Sequence, residues 1–258
     1  MEKAVYCFVM KTRRIVFASQ LLQEPFIQIN LMLDVLLAAY FGFNAMQISY
    51  LTAMRPMLAV FAFYWGSVLL FRPQWLRPSL VLAVAVAPCL FFFVPFSSKI
   101  WFFILAEAIF ILFWRASKPA QIEIIKVNVE KGPRELLFSH QLNLSRASAI
   151  IIGPLLGLFI KMYPALWKEL FAVAALLYSS SAIVQHFFDV PPLTRKPTNR
   201  VGLRELLVRP WVESFELLRT NKAFAHYKLG FFIAGAGLMF MKPSIPGFLT
   251  ASNLSFLE

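Results

Sequence analysis

Seven apolar stretches, each long enough to cross a bilayer, fill most of the chain, and basic residues gather in every second gap between them. A helix rises about 1.5 Å per residue, so about 20 mostly apolar residues cross a hydrocarbon core of about 30 Å. Such spans are read at residues 15–40, 47–70, 78–96, 100–127, 136–163, 166–188 and 228–249. Lipid offers no partner to backbone N–H and C=O groups, so each span must satisfy them internally, as a helix does. The fold class is therefore all-α, a polytopic helical membrane protein.

Composition agrees. The chain is 59% hydrophobic with 28 phenylalanines, and its mean hydropathy is +0.68; a soluble domain, at about 45–50% apolar, has no interior large enough for that surface. The net charge of +12 does not indicate a nucleic-acid partner, because the basic residues flank apolar spans, as the positive-inside rule requires. Lys3, Lys11, Arg13 and Arg14, then Arg72 and Arg77, then Lys126, Lys131 and Arg134, then a long run from Arg195 to Lys228 fall on one side. Lys99, Lys161, Lys168 and Lys242 fall on the other. The rich side is expected to be cytoplasmic, with the N-terminus inside and the C-terminus outside after seven crossings. The partner of most of the surface is then the lipid bilayer.

Four regions follow: a cytoplasmic N-terminus at 1–14, a six-helix bundle at 15–188, a basic linker at 189–227, and a seventh span with a short external tail at 228–258. Outer turns near 41–46, 96–99 and 163–166 are short enough to force antiparallel neighbours. Residues 4–10 form too short an apolar run for a signal peptide, so the first span itself directs insertion. In the linker, Trp211, Phe215 and Leu218 recur at helical spacing, which predicts a short amphipathic helix lying on the inner membrane surface or on the bundle's own loops. Cys7 and Cys89 read as unpaired thiols acting as small apolar groups.

Polar residues are unevenly spread. The third and sixth spans carry almost none and can face lipid. The first carries Ser19, Gln20, Gln23, Glu24, Gln28, Asn30 and Asp34, which at about 100° per residue fall within roughly half of the helix circumference. That half must face protein or water. The fourth span has Glu107, Arg115, Lys118 and Glu123, and the fifth has Arg146. A charge at mid-bilayer costs about 2.5–3.5 kcal/mol, so these groups imply pairing or a hydrated cavity. Arg115 and Arg146 sit at similar depth and either meet one anionic ligand or pair with Glu24, Asp34 or Glu123 to hold the bundle together. His140 and His186 read as interfacial, and Arg55 beside Pro56 as a local anchor. Gly153, Pro154 and Gly157 predict a bent helix packed tightly on a neighbour.

A polar first, fourth and fifth helix, bland third and sixth, a long basic loop and a seventh span together resemble the first half of a major facilitator superfamily transporter. The Gly-Pro-x-x-Gly run at 153–157 is similar to that superfamily's fifth-helix antiporter motif, with Ala149 and Leu158 in place of two glycines. Arg115 stands where the fourth helix carries an arginine tied to proton coupling, followed here by Lys118 and Pro119. Gly66 opens what resembles the signature between the second and third helices, with Leu70 replacing its aspartate and Pro73 its second glycine. Residues 134–139 and 221–230 resemble the corresponding junctions of the superfamily.

The resemblance implies an ion-coupled secondary transporter of a small solute, working by alternating access in a bacterial plasma (inner) membrane. Glu24 or Asp34 would be the protonatable carboxylate, with Arg115 and Arg146 as counter-charge or substrate anchor and Glu123 on the pathway. Superfamily members have two six-helix halves, so the chain is expected to be truncated or split, and to need a second chain or a copy of itself. The alternative is a non-transporting scaffold or a decayed transporter remnant. An intramembrane enzyme is disfavoured, since no metal-ligand spacing, paired aspartates, Ser-His arrangement or phosphate-binding glycine loop occurs; no cofactor is expected.

Overall fold

The computed structural model describes residues 2–190 and 203–251; the basic residues Arg195, Lys196 and Arg200 of the linker, and the side chains of Cys7 and Lys242, lie outside the described residues. Nine α-helices are described: α1 (Glu2–Leu31), α2 (Leu33–Phe41), α3 (Ala45–Phe71), α4 (Leu76–Val86), α5 (Ile100–Asn128), α6 (Lys131–Met162), α7 (Trp167–His186), α8 (Leu203–Thr220) and α9 (Lys222–Ala251). The span that starts with α4 finishes as a tighter 3₁₀ segment, Cys89–Phe96. Every expected crossing coincides with a helix or a pair of helices. Leu76–Phe96, Ile100–Asn128, Lys131–Met162 and Pro164–His186 are each long and apolar enough to span a membrane, and the bent pair α1/α2 makes a fifth.

That pair bends by 43°. At the break, Met32 N–H bonds Ile29 O at 3.0 Å and Val35 N–H bonds Met32 O at 3.1 Å, so the ladder tightens locally without leaving backbone groups unpaired in lipid. The break places Asp34 in the first turn of α2, where the positive end of the helix dipole favours a carboxylate. Gly42 closes α2 at φ +63°, a left-handed cap that only glycine adopts freely. Asn44 and Gln47 then start α3 with a reciprocal capping box.

The bundle closes on aromatic rings. Phe26 of α1 contacts Phe91, Phe110, Phe171 and Tyr178 edge-on, with centroids 5.0, 4.9, 6.3 and 5.4 Å away. In lipid, where apolar surface gains little by leaving one oil for another, close packing of this sort supplies much of the association energy. Helix α1 packs on α6 and α7, α5 on α3 and α4, and α9 on α3.

The bland third and sixth spans are two-faced. On α7, Phe171, Ala174, Ala175, Tyr178 and Ser181 are buried while Val173, Leu176 and Ile183 are exposed, so each such helix covers the core with one face and leaves the other to lipid. Helix α6 is the most exposed of the qualifying spans, with Leu137, Ser148 and Ile160 its buried residues. It remains one helix of 32 residues through Pro154, and a Cβ placed on Gly153 or Gly157 would meet nothing within 4 Å. The close approach expected of that motif is not made to any described part of this chain. Gly66 does make one: a Cβ there would lie 3.3 Å from the Pro119 ring of α5.

Candidate functional site

Helix α5 turns one face toward α1 and α3. Glu107, Phe110, Ile111, Trp114 and Arg115 follow each other at i, i+3, i+4, i+7 and i+8, the spacing of one helical stripe. With Ile27, Asn30 and Leu31 of α1 and Arg55 of α3 they line a cavity of about 190 Å³. Its floor is an ion pair: Arg55 Nη2 donates to Glu107 Oε1 at 2.8 Å and Arg55 Nε to the same oxygen at 3.2 Å. Asn30 Nδ2 reaches that oxygen at 3.4 Å. Glu107 is 1% exposed and Arg55 18%, so both charges have lost most of their solvation and each depends on the other. Asp34 contributes its negative field to Glu107.

Several polar atoms around this cavity are buried with no hydrogen-bond partner: Glu107 Oε2 and Asn30 Oδ1 as acceptors, Trp114 Nε1 and Arg115 Nε as donors. The Arg115 guanidinium lies 5.2 Å above the Trp114 ring, and the Lys118 ammonium 5.3 Å from it. Arg115 also lines a second, larger cavity of about 650 Å³, with Gly66, Lys118, Glu123 and, from α8, Glu213 and Leu217 among its walls. The two cavities thus meet at Arg115, one residue past the middle of α5.

The sequence-expected residues part company here. The α1 stripe is buried throughout, with Glu24 fully inaccessible and Asp34 3% exposed. Glu24 accepts from Gln20 and from Gln28, the latter at 3.0 Å, while Gln141 of α6 donates to Gln20 at 3.0 Å and Gln23 to Ser181 of α7 at 2.9 Å. Glu24 also lies in electrostatic reach of Lys118. Glu123 instead pairs with Lys126 at 2.6 Å along its own helix, and Arg146 is exposed on α6. The arginine that joins the buried acid is Arg55, read from sequence as a local anchor. Trp114 goes unmarked in the sequence, and Glu107, marked there as a charge that needs pairing or a hydrated cavity, is not matched with Arg55. One signal could have found them: α3 and α5 both start from the outer turns, and the lone cation of one lies about 15 Å deep and the lone early acid of the other about 10 Å deep, at 1.5 Å per residue.

At the basic end of the bundle, His186 Nε2 lies 2.8 Å from Arg77 Nη2, and Arg134 reaches the terminal carbonyls of α5 at Val129 and Lys126. The expected linker helix is α8, whose Trp211 donates to the Tyr64 hydroxyl of α3 at 2.9 Å.

Helices of this length and hydropathy define an all-helical membrane protein. Among solved structures the chain is similar to a crystal structure of the nucleoside transporter NupG, with a TM-score of 0.63 and 13% identity over 97% of this chain and 60% of that one. At that identity the likeness concerns the fold alone. The chain spans 60% of that transporter's length. No family model and no curated protein matches the sequence.

Proposed function

We propose that this chain belongs to a secondary transporter that moves a small solute by alternating access, driven by an ion gradient. The observation that carries the reading is the Arg55–Glu107 pair, buried with Asn30 beside a cavity on α1, α3 and α5. Charges at such depth are costly, and in transporters they mark ion and substrate paths. Proton binding to Glu107 would release Arg55, and a buried acid that can exchange an arginine for a proton couples the two events. Glu24 and Asp34, on the adjoining stripe, are further proton acceptors in the same path, and Arg115 joins the two cavities. The basic residues orient the N-terminus toward the cytoplasm of a bacterial cell.

In a two-half carrier one bundle forms one wall of the passage, so the reading includes a second chain or a second copy as the facing wall. The open surface at Gly153 and Gly157 suits that contact.

The test is proton flux into liposomes that contain the chain purified in its associated form, with the second copy or chain that co-purifies with it, and an internal pH dye, on addition of a panel of small solutes. Solute-dependent acidification, lost in Glu107→Gln with normal insertion, is the expected result. If Glu107→Gln and Arg55→Ala change only abundance, and no solute moves protons in the parent, the chain is a scaffold and the proposal is wrong.

A further inference from the structure

The linker helix α8 has two apolar faces, and the described bundle covers one of them. At about 100° per residue, Val208, Trp211, Val212 and Phe215 share about 100° of its circumference. All four are exposed, Phe215 by 65%. Pro210, Ser214 and Leu217 lie on the other side, where they wall the larger cavity with Lys118, Pro119 and Ile122 of α5. Between the two faces runs a polar strip, on which Arg209 pairs with Glu213 at 2.6 Å. A helix that packs on its own protein needs one apolar face, so the second requires another partner.

Depth identifies what lies beyond that second face. Helix α5 has 29 residues and runs about 43 Å, the thickness of a bilayer with its headgroups. Ile122, which shares the cavity wall with Leu217, stands six residues before the end of α5 at Asn128, about 9 Å in. Tyr64, which accepts from Trp211 Nε1 at 2.9 Å, stands seven residues before the end of α3 at Phe71, about 10 Å in. Two helices thus place α8 at the level where headgroups meet acyl chains, and an interfacial helix sinks its apolar face about 5–10 Å into that boundary.

Charge narrows the choice of lipid. Arg219 falls on the same stripe one turn after Phe215, and Lys222 opens α9 just beyond it; both are exposed. Neither pairs with a carboxylate of the described residues. Glu213 is held by Arg209, and Glu216 sits on the polar strip. Exposed apolar side chains bordered by unpaired cations suit a leaflet with anionic headgroups.

We infer that Val208, Trp211, Val212 and Phe215 are seated in the leaflet at the basic end of the bundle, with Arg219 and Lys222 on the anionic headgroups of its lipids. Helix α8 is then a wall between lipid and the larger cavity, with one apolar face on each.

Nitroxide labels on single cysteines test this in the full chain, with Cys7→Ser and Cys89→Ser, in liposomes of phosphatidylglycerol and phosphatidylcholine. Collision of the label with oxygen, which concentrates in lipid, is compared with collision with a water-soluble nickel complex. The oxygen-to-nickel ratio at Val212→Cys and Phe215→Cys should exceed that at Glu216→Cys by about fivefold or more. In pure phosphatidylcholine, and in Arg219→Gln/Lys222→Gln on the mixed lipid, the ratio at Phe215→Cys should fall by about twofold or more. Circular dichroism checks that each chain keeps its helices, and none of these readouts depends on transport. Equal ratios at the three positions mean a solvated helix, and shielding of Val212→Cys and Phe215→Cys from both reagents means that a protein partner covers the stripe. Either result overturns the inference, as does a ratio that ignores lipid charge.

Discussion

Replacing Glu107 by alanine strands the Arg55 guanidinium. That group is 18% exposed and gives two hydrogen bonds to one carboxylate oxygen, at 2.8 and 3.2 Å. At 2.8 Å and an effective dielectric of about 20, the bare attraction is about 6 kcal/mol. Desolvation of both partners offsets part of it. Breaking a buried pair from one side leaves the other charge uncompensated, for a loss of about 3–5 kcal/mol. Glu107→Ala should therefore lower the folding equilibrium constant by between about two and nearly four powers of ten. Arg55→Ala should do similar damage, because Glu107 is 1% exposed and, among the described residues, Asn30 at 3.4 Å is then its remaining hydrogen-bond donor. The double variant removes both charges and should be more stable than the sum of the singles requires, with a coupling of about 2 kcal/mol or more. Reversible unfolding in mixed micelles of dodecyl maltoside and dodecyl sulfate, followed by circular dichroism, measures all three. A loss below about 1 kcal/mol for Glu107→Ala, or strict additivity in the cycle, would refute the claim that this pair organises α3 and α5.

Two other substitutions probe the packing by the same assay. Phe26→Ala opens a space among four rings that Phe26 touches and should cost about 3–5 kcal/mol. Gly66→Ala presses a methyl to 3.3 Å from the Pro119 ring and should cost about 1 kcal/mol or more, whereas Gly153→Ala meets nothing within 4 Å and should gain up to about 1 kcal/mol in the isolated chain from helix propensity.

Hydrophobic length told where the helices lie, because a bilayer imposes one length scale on every crossing. Helical periodicity told that Ser19, Gln20, Gln23, Glu24, Gln28, Asn30 and Asp34 share a face, and all seven are buried. Which partners they meet was not legible. That depends on how each helix rotates about its axis, and rotation is set by contacts such as the Phe26 ring cluster and the Gly66–Pro119 approach, which join residues remote in sequence. Arg146 shows the limit: its depth was readable, but it turns outward, and depth alone cannot distinguish the two faces of a helix. Arg55 shows the converse, since proximity to Pro56 drew attention to its local role and away from an acid 52 residues later. The break at Met32 carries no proline or glycine and left no local mark in the sequence.

The burial of the α1 stripe also changes the reason for expecting a second chain. Seven polar residues on one half of a helix must face protein or water, which leaves open whether their cover lies within this chain or outside it. In the structure α5, α6 and α7 provide that cover, through the contacts of Gln20, Gln23 and Asn30 with Gln141, Ser181 and Glu107. Polarity on α1 therefore poses no obstacle to this bundle standing alone in a membrane. What a facing half would add is a passage: the second wall that lets a cavity open alternately to either side. On the proposed reading the contact with a facing half falls on α6, where Gly153 and Gly157 have free space before them. Bulky substitution there should leave the stability of the isolated chain nearly unchanged and weaken its association with a second chain or copy, whereas a stripe that needed covering would have put both effects on α1.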